Sequence, residues 1–390
     1  MPAPYNVTYG GWYQRTTLHL SEIYEFFVNA NSFLNLDKSK LKNYQQNLKI
    51  TSVTRELSYL EYVKATTKDG IEIRYYEDGL YVLELNVADV KTGRDTLEQY
   101  FNNYFNPAIN YIFSLGAPTP KILANIKTVH PTVVSFDPKQ IPGDKVDSSL
   151  LKDIYSQIED KNVAVYKSRD FIFILADASD AFPVNEIVEM QIFFREFKDQ
   201  LEKYLNIHRK IWGEIADIKE RKFIKAKEVG TLRERLDTYQ KTISLISNRI
   251  NQMGSYVKTR KAVSKNLQLE SHLENLFQYR FDVLVDTLDY IKEIWKMTTD
   301  YVTSAIQVLV EIQSAATNKS IQSLTLITSV GVLSGLIAYL SRDTFPKVTF
   351  VGFIYLSILI ICGYLFNFIV QRIQLNKLQK LKFSKTDENI

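Results

Sequence analysis

The sequence predicts an α/β cytoplasmic domain, then a long helical coiled-coil stalk, and finally two C-terminal membrane-spanning helices. Three observations support this fold class. Two uncharged apolar runs lie near the C-terminus, and each has about the 20 residues that cross a lipid core as a helix. A 3.5-residue apolar repeat precedes the first run. Strand-like and helical segments alternate before residue 182.

The first 182 residues contain the interleaved segments of the α/β domain. Asp-Gly pairs at 69–70 and 78–79 predict tight hairpins, because these dipeptides favour the left-handed turn positions. Ser21 is a suitable N-cap for the first helix. Apolar periodicity predicts helices over 21–33, 37–48, 95–115 and 148–160, and extended segments over 15–20, 52–66, 71–76, 80–87, 121–127, 132–136, 163–166 and 171–176.

Residues 183–266 predict a helical hairpin. From Val184 the apolar residues recur with a helical period. Gly230 followed by Thr231 suggests the turn between the two helices, with glycine ending one helix and threonine capping the next. A polar break at 264–266 separates the hairpin from the stalk.

Residues 267–320 predict the stalk. Apolar positions there alternate four-residue and three-residue steps, which is a coiled-coil seam. No proline or glycine occurs from 267 to 330, so one helix of about 70 residues is expected to continue through the first apolar run. The seam could meet other copies of the chain around an axis, or the chain's own hairpin. Its members are Phe277, Phe281, Leu284, Leu288, Ile291, Trp295, Thr298, Val302, Ala305, Leu309 and Ile312.

The first apolar run, 321–340, is punctuated by hydroxyl and glycine residues, whereas the second, 350–371, is almost wholly apolar. Polar groups in a spanning helix indicate either helix packing or a water-filled path, and both remain open. A short loop, 341–349, joins the runs, and the tail, 372–390, is basic. The positive-inside tendency therefore predicts a multi-pass protein of the cell (inner or plasma) membrane with both termini in the cytoplasm.

Composition and motifs narrow the function classes. A net charge of +4 gives no electrostatic case for nucleic acid. The single cysteine, Cys362, excludes an intrachain disulfide framework. No phosphate-binding loop, paired histidines or nucleophile arrangement occurs in the sequence, so we expect no enzyme.

Four carboxylates, Asp282, Asp286, Asp289 and Glu293, recur at helical spacing on one face of the stalk. Like charges at this spacing repel one another unless something neutralises them. A divalent cation at a subunit boundary, Mg²⁺ or Ca²⁺, is one candidate. The alternative is a solvated face balanced by lysines of the neighbouring hairpin.

Thr317-Asn318 and Leu324-Thr325-Leu326-Ile327 resemble the pore entrance of the CorA family of divalent-cation channels, which includes the zinc-transporting ZntB. The resemblance in architecture covers the whole chain. It implies five copies forming a funnel, a polar ring at Asn318, and apolar gates at Ile321, Leu324 and Val332, with Gly335 replacing a pore hydroxyl. With the hydroxyls of the same face, the candidate pore-lining set is Asn318, Ile321, Leu324, Thr325, Thr328, Val332 and Gly335.

The chain also departs from the family pattern. Arg342-Asp343-Thr344 stands at the external mouth in place of the family's Gly-Met-Asn signature, and Leu333 replaces a proline. A cationic mouth repels Mg²⁺. We therefore expect a CorA-like homopentameric channel or transporter for metal cations, with altered or lost Mg²⁺ selectivity. Its expected partners are lipid, other copies of itself and divalent cations, and no cofactor is certain. The alternative is a non-conducting membrane scaffold or sensor.

Overall fold

The computed structural model describes residues 5–13, 20–57, 59–113, 131–137, 153–160, 163–176, 182–221, 223–340, 350–376 and 378–380. The chain divides into two compact units. The first consists of Met1–Ile207 and Leu245–Glu293, and the second of His208–Ser244 and Ile294–Ile390.

A nine-stranded mixed sheet forms the frame of the first unit. Its strands follow the order β2-β3-β4-β5-β1-β6-β9-β8-β7, and all neighbours are antiparallel except β6 and β9. The strands are β1 (Tyr5–Trp12), β2 (Ile50–Leu57), β3 (Glu61–Thr67), β4 (Glu72–Tyr76), β5 (Leu80–Val87), β6 (Thr132–Phe136), β7 (Ser156–Asp160), β8 (Val163–Lys167) and β9 (Phe171–Ala176).

The two Asp-Gly hairpins predicted from the sequence are confirmed. Gly70 and Gly79 have φ of 79° and 86°, a region that glycine adopts without steric cost. A Cβ at Gly79 would also lie 2.2 Å from the backbone oxygen of Tyr13, so this turn tolerates no side chain. The turns set the antiparallel pairing of β3 with β4 and of β4 with β5.

Short helices pack on the sheet to form the core. They are α1 (Leu20–Asn29), α2 (Lys38–Asn47), α3 (Val90–Tyr100) and α4 (Asn106–Ile112), with a π-helical turn at Phe101–Phe105 before α4. Asp37 caps α2 by accepting from the backbone N–H groups of Ser39 and Lys40, and Asp89 caps α3 by accepting from that of Thr92. Apolar side chains of both layers meet in one buried cluster that includes Val7, Ile23, Phe26, Leu97, Phe105 and Val134.

Several predicted elements of this unit are corrected. The run 52–66 is two strands, β2 and β3, and α3 begins at Val90, not at 95, because Asp89 is the cap. Residues 156–160 form edge strand β7, not a helix: their burial alternates between partly buried and exposed, as in a half-covered strand. Strand β1 was not predicted. The segments predicted at 15–20 and 121–127, apart from Leu20, lie outside the described residues.

The predicted helical hairpin consists of α5 (Val184–Glu220) and α6 (Ala226–Asn266). The turn predicted at Gly230 and Thr231 is wrong, because both residues lie inside α6. The connection instead contains a short strand, β10 (Phe223–Lys225), which pairs antiparallel with β11 (Leu378–Lys380) in the second unit.

The predicted continuous stalk is interrupted near its start. Helix α7 (Glu270–Phe277) ends where Gln278 adopts a φ of 59°. The N–H groups of Gln278 and Tyr279 donate to the carbonyls of Glu274 and Leu273, which is a Schellman ending. Helix α8 then runs unbroken for 60 residues, Phe281–Leu340. The prediction of helix is therefore confirmed over Glu270–Phe277 and Phe281–Leu340, but the predicted continuity is wrong, because the chain breaks between these two helices at Gln278.

The seam of α8 is buried within the single chain, which confirms the alternative that it meets the chain's own hairpin. The ring of Phe281 lies 4.5 Å from that of Phe194 on α5. Leu288 packs beside Gly254 of α6, where an added Cβ would stand 3.8 Å from its side chain. Every seam position from Phe277 to Leu309 is buried.

Helix α9 (Phe350–Asn376) covers the second apolar run and continues beyond it. Within the described part of the chain, no helix combines the length and the apolar character that crossing a membrane requires.

Candidate functional site

The candidate pore residues all lie on the C-terminal part of α8, beyond the buried seam. At 100° per residue they fall within an arc of about 120° of the helix surface. The structure thus places on one face of one helix Asn318, Ile321, Leu324, Thr325, Thr328, Val332 and Gly335. The side chain of Leu324 is outside the described set.

The burial of α8 changes along its length. Trp295 and Leu309 are at most 1% exposed, whereas Ile321 and Val332 on the candidate pore face are 56% and 62% exposed. Ile337, on the opposite face, is 60% exposed. Beyond residue 320, apolar side chains of both faces therefore remain uncovered by the chain's own described residues.

The hydroxyl groups of this segment donate to carbonyls of their own helix. Thr325 donates to Ile321 at 2.9 Å, and Ser329 donates to Thr325 at 2.7 Å. Such back-bonding satisfies the hydroxyl proton without an outside partner, and the oxygen lone pairs stay available as acceptors. This arrangement is compatible with helix packing and with a water-filled path alike.

The four stalk carboxylates remain separate within one chain. Asp282 accepts from Arg280 at 2.7 Å, and this bond lowers the pKa of Asp282. Asp289 accepts from Lys292 at 2.9 Å. Asp286 and Glu293 are exposed. The described residues contain no group of three or more histidine, cysteine or acidic side chains that could hold a metal ion. A site shared between copies stays a prediction.

The predicted external mouth, Arg342, Asp343 and Thr344, lies outside the described residues, so its cationic character stays a prediction from the sequence.

A buried ion pair, which the sequence did not suggest, lies in the first unit. Arg260 of α6 donates to Asp78 with both arms, Nε to Oδ2 at 2.6 Å and Nη2 to Oδ1 at 2.9 Å. The two side chains are 2% and 3% exposed. Asp78 belongs to the turn between β4 and β5, so the pair fastens the hairpin helix to the sheet.

A second buried cation, Arg74 on β4, lies among three carboxylates. Its nitrogens stand 2.9 Å from Glu72, 2.7 Å from Glu84 and 3.4 Å from Glu189 of α5. Burial alone would lower the pKa of Arg74, but these carboxylates raise it. Burial raises the pKa of Glu189, which Arg74 and a hydrogen bond from Tyr76 partly oppose.

These buried charges have no signature in the sequence. Arg74 and Asp78 lie close together, but Glu189 and Arg260 are far from them along the chain, and charged residues are exposed by default. Their partners become visible only when the sheet and the hairpin are assembled. The arrangement pairs opposite charges of the sheet with those of the helices, so we interpret it as a fastening between sheet and helices.

No family model and no curated protein matches this sequence. Among solved structures, the chain is similar to the CorA magnesium transporter from Methanocaldococcus jannaschii, with 11% sequence identity. The similarity covers 64% of this chain and 92% of that chain, with a TM-score of 0.27. The chain is thus similar to a CorA transporter, at a level that by itself establishes neither a common fold nor a common activity.

Proposed function

We propose that this chain forms a CorA-like homo-oligomeric membrane channel or transporter for metal cations, with altered or lost Mg²⁺ selectivity. One observation carries the proposal: α8 changes from a buried seam to a helix whose described apolar side chains are more than half exposed. Large contiguous apolar surfaces need lipid or protein to cover them. The exposed side chains are Ile321, Val332, Leu333, Leu336 and Ile337.

The membrane part of the proposal rests on the complete sequence runs 321–340 and 350–371, including residues beyond the described set. Each run is uncharged and long enough for a bilayer core. In α9, Phe350 and Tyr364 are 81% and 74% exposed, as lipid-facing residues of a lone chain would be. The basic tail supports a cytoplasmic location for both termini.

The cation path is proposed along the polar face of α8. Thr325 and Thr328 already donate their hydroxyl protons to the helix, so their oxygens could accept a cation or water. Ile321, Leu324 and Val332 would form successive apolar rings that close the path by dewetting. Arg342 at the proposed mouth carries a positive charge, which disfavours the entry of divalent cations.

The assembly is proposed to use the exposed segment of α8 and not the seam. The seam is already covered within each chain, so it has no free apolar face to offer another copy. The pentamer itself rests on the family resemblance stated from the sequence.

Widening the apolar rings tests the proposal. Leu324→Ser and Ile321→Gly should raise the leak of Mg²⁺, Zn²⁺ and Na⁺ from liposomes, because a hydroxyl or a missing side chain admits water. Ile337→Ser, on the opposite face, is the matched control and should leave the leak unchanged. Arg342→Asn should raise divalent flux further in the widened background.

Liposomes that stay as tight with the widened variants as without protein would overturn the channel proposal. The second candidate, a non-conducting membrane scaffold or sensor, would then stand. It is favoured by one feature of the sequence, the replacement of the outer cation signature by Arg342-Asp343-Thr344.

A further inference from the structure

The tip of the helical hairpin is joined to the segment that follows α9. Strands β10 and β11, here called the tip ribbon, pair Phe223 with Lys380, Ile224 with Gln379 and Lys225 with Leu378. Only residue 377 separates β11 from the end of α9 at Asn376. The ribbon therefore holds the hairpin tip next to the end of the proposed second span.

The outward side of β10 carries an aromatic residue and a cation. Ile224 is 1% exposed, whereas Phe223 is 54% exposed and Lys225 is also exposed. Because strand side chains alternate between faces, Phe223 and Lys225 share the outward face and Ile224 points inward. Arg221 and Lys227, on either side of β10, are exposed as well. All charged side chains described between 221 and 227 are cationic.

We propose that the tip ribbon binds anionic lipid headgroups of the cytoplasmic leaflet, an inference that rests on the proposed function because it needs α9 in the bilayer. An exposed aromatic ring flanked by lysine and arginine is the combination that settles at a membrane interface. The cations attract lipid phosphates, and the ring enters the headgroup layer.

Lipid is favoured over a protein partner by the position of the ribbon. A ribbon one residue beyond the end of a membrane-spanning helix lies at the depth of the lipid headgroups. Its exposed cations therefore face anionic lipid directly. Arg372 near the end of α9 is also exposed and extends the cationic surface toward the ribbon. Juxtamembrane cations of this kind strengthen binding to anionic membranes about fivefold each.

The experiment uses the full chain with Cys362→Ser, reconstituted in vesicles of phosphatidylcholine alone or with phosphatidylglycerol. A fluorophore on Phe223→Cys replaces the exposed ring, and headgroup spin-labelled lipid quenches it on contact. A fluorophore on Ser271→Cys, exposed in the first unit, is the control position. We expect at least threefold more quenching at position 223 in anionic than in neutral vesicles, with loss of the difference at high salt.

Charge variants test the chemistry. The double variant Lys225→Gln, Lys227→Gln should lower the equilibrium ratio of lipid-bound to lipid-free tip ribbon by more than about tenfold. Lys258→Gln with Lys261→Gln, two exposed lysines of the first unit, should change nothing. Equal quenching in both vesicle types, or no effect of the tip variants, would overturn the inference while the proposed function stands. If alkali extracts the protein from the vesicles, α9 is not embedded in the bilayer, and both the proposed function and this inference are overturned.

Discussion

At the scale of single residues, Asp78 joins three parts of the first unit. Its carboxylate accepts both arms of Arg260 and the backbone N–H of Leu80, and its backbone carbonyl accepts the indole N–H of Trp12 at 2.7 Å. The guanidinium of Arg260 also lies over the ring of Tyr76, 5.0 Å from its centroid. Removing one partner would leave a buried charge without compensation.

Arg260→Met should lower the free energy of unfolding by about 3–5 kcal/mol, because it leaves the Asp78 carboxylate buried and unpaired. Adding Asp78→Asn should restore part of the loss, since the uncompensated charge is then gone. Urea unfolding of the detergent-solubilised chain, followed by circular dichroism, measures both. Arg55→Met, which breaks a more exposed pair with Glu61, should cost less than about 1 kcal/mol. Equal losses at Arg260 and Arg55 would contradict this prediction.

Glu189 predicts a pH dependence of stability. Burial raises its pKa above the usual 4.5, so the folded chain holds this proton more tightly than the unfolded chain. Its stabilising contribution is complete below the unfolded pKa and is lost as the pH rises through the folded pKa. Glu189→Gln removes this loss, while its amide oxygen can still accept from Tyr76.

The unfolding free energy of Glu189→Gln, relative to the natural chain, should therefore increase as the pH rises above the unfolded pKa of 4.5 and through the raised pKa of the folded state. Glu77→Gln, where no buried pair is altered, provides the control for general charge effects. A difference between Glu189→Gln and the natural chain that stays constant with pH would show that Glu189 is not protonated more readily in the folded state.

At the scale of elements, the apolar repeat predicted the buried positions of α8 but not what covers them. A 3.5-residue repeat specifies an apolar face and is silent on whether that face meets another copy or the chain's own hairpin. The break at Gln278 had no signal either, because the left-handed position is occupied by glutamine and not by glycine.

The sheet shows the same division. The Asp-Gly turns located the end of β3, both ends of β4 and the start of β5 closely, because these dipeptides act locally. Edge strand β7 was mistaken for a helix, since its only large apolar residue, Ile158, gives neither period a clear signal. Helical geometry alone places the residues that the family resemblance indicates on one face of α8, whereas the Arg74 and Arg260 clusters depend on contacts between distant segments.

Leu288→Ala tests the packing of the seam within one chain. It should lower the free energy of unfolding by about 2–5 kcal/mol, because it opens a cavity beside α6. The loss should not depend on protein concentration, since the seam is covered by the same chain. Met297→Ala, at a position 57% exposed on the same helix, should cost less than about 0.5 kcal/mol. Dissociation of an oligomer with unchanged chain stability would instead assign the seam to contacts between copies.

At the scale of the whole molecule, the proposed topology places residues 344 and 384 on opposite sides of the membrane. In a Cys362→Ser background, Thr344→Cys should react with an impermeant thiol reagent from outside the cell. Ser384→Cys should react only after the membrane is permeabilised, because the basic tail is retained in the cytoplasm. Reaction of both from outside would contradict the topology.

The position of β1 has a consequence for how the chain is made. This strand lies inside the sheet, between β5 and β6, although it precedes the other described strands of the sheet in the sequence and is therefore synthesised before them. It has no strand partner until residues 80–87 and then 132–136 have been synthesised. Nascent chains therefore carry an unpaired strand until β5 has been synthesised and a strand with one free edge until β6 follows, states prone to aggregation. Removing residues 5–12 would take away the strand that hydrogen-bonds to both β5 and β6. We therefore expect deletion of β1 to divide the sheet into two parts and not merely to remove an edge strand.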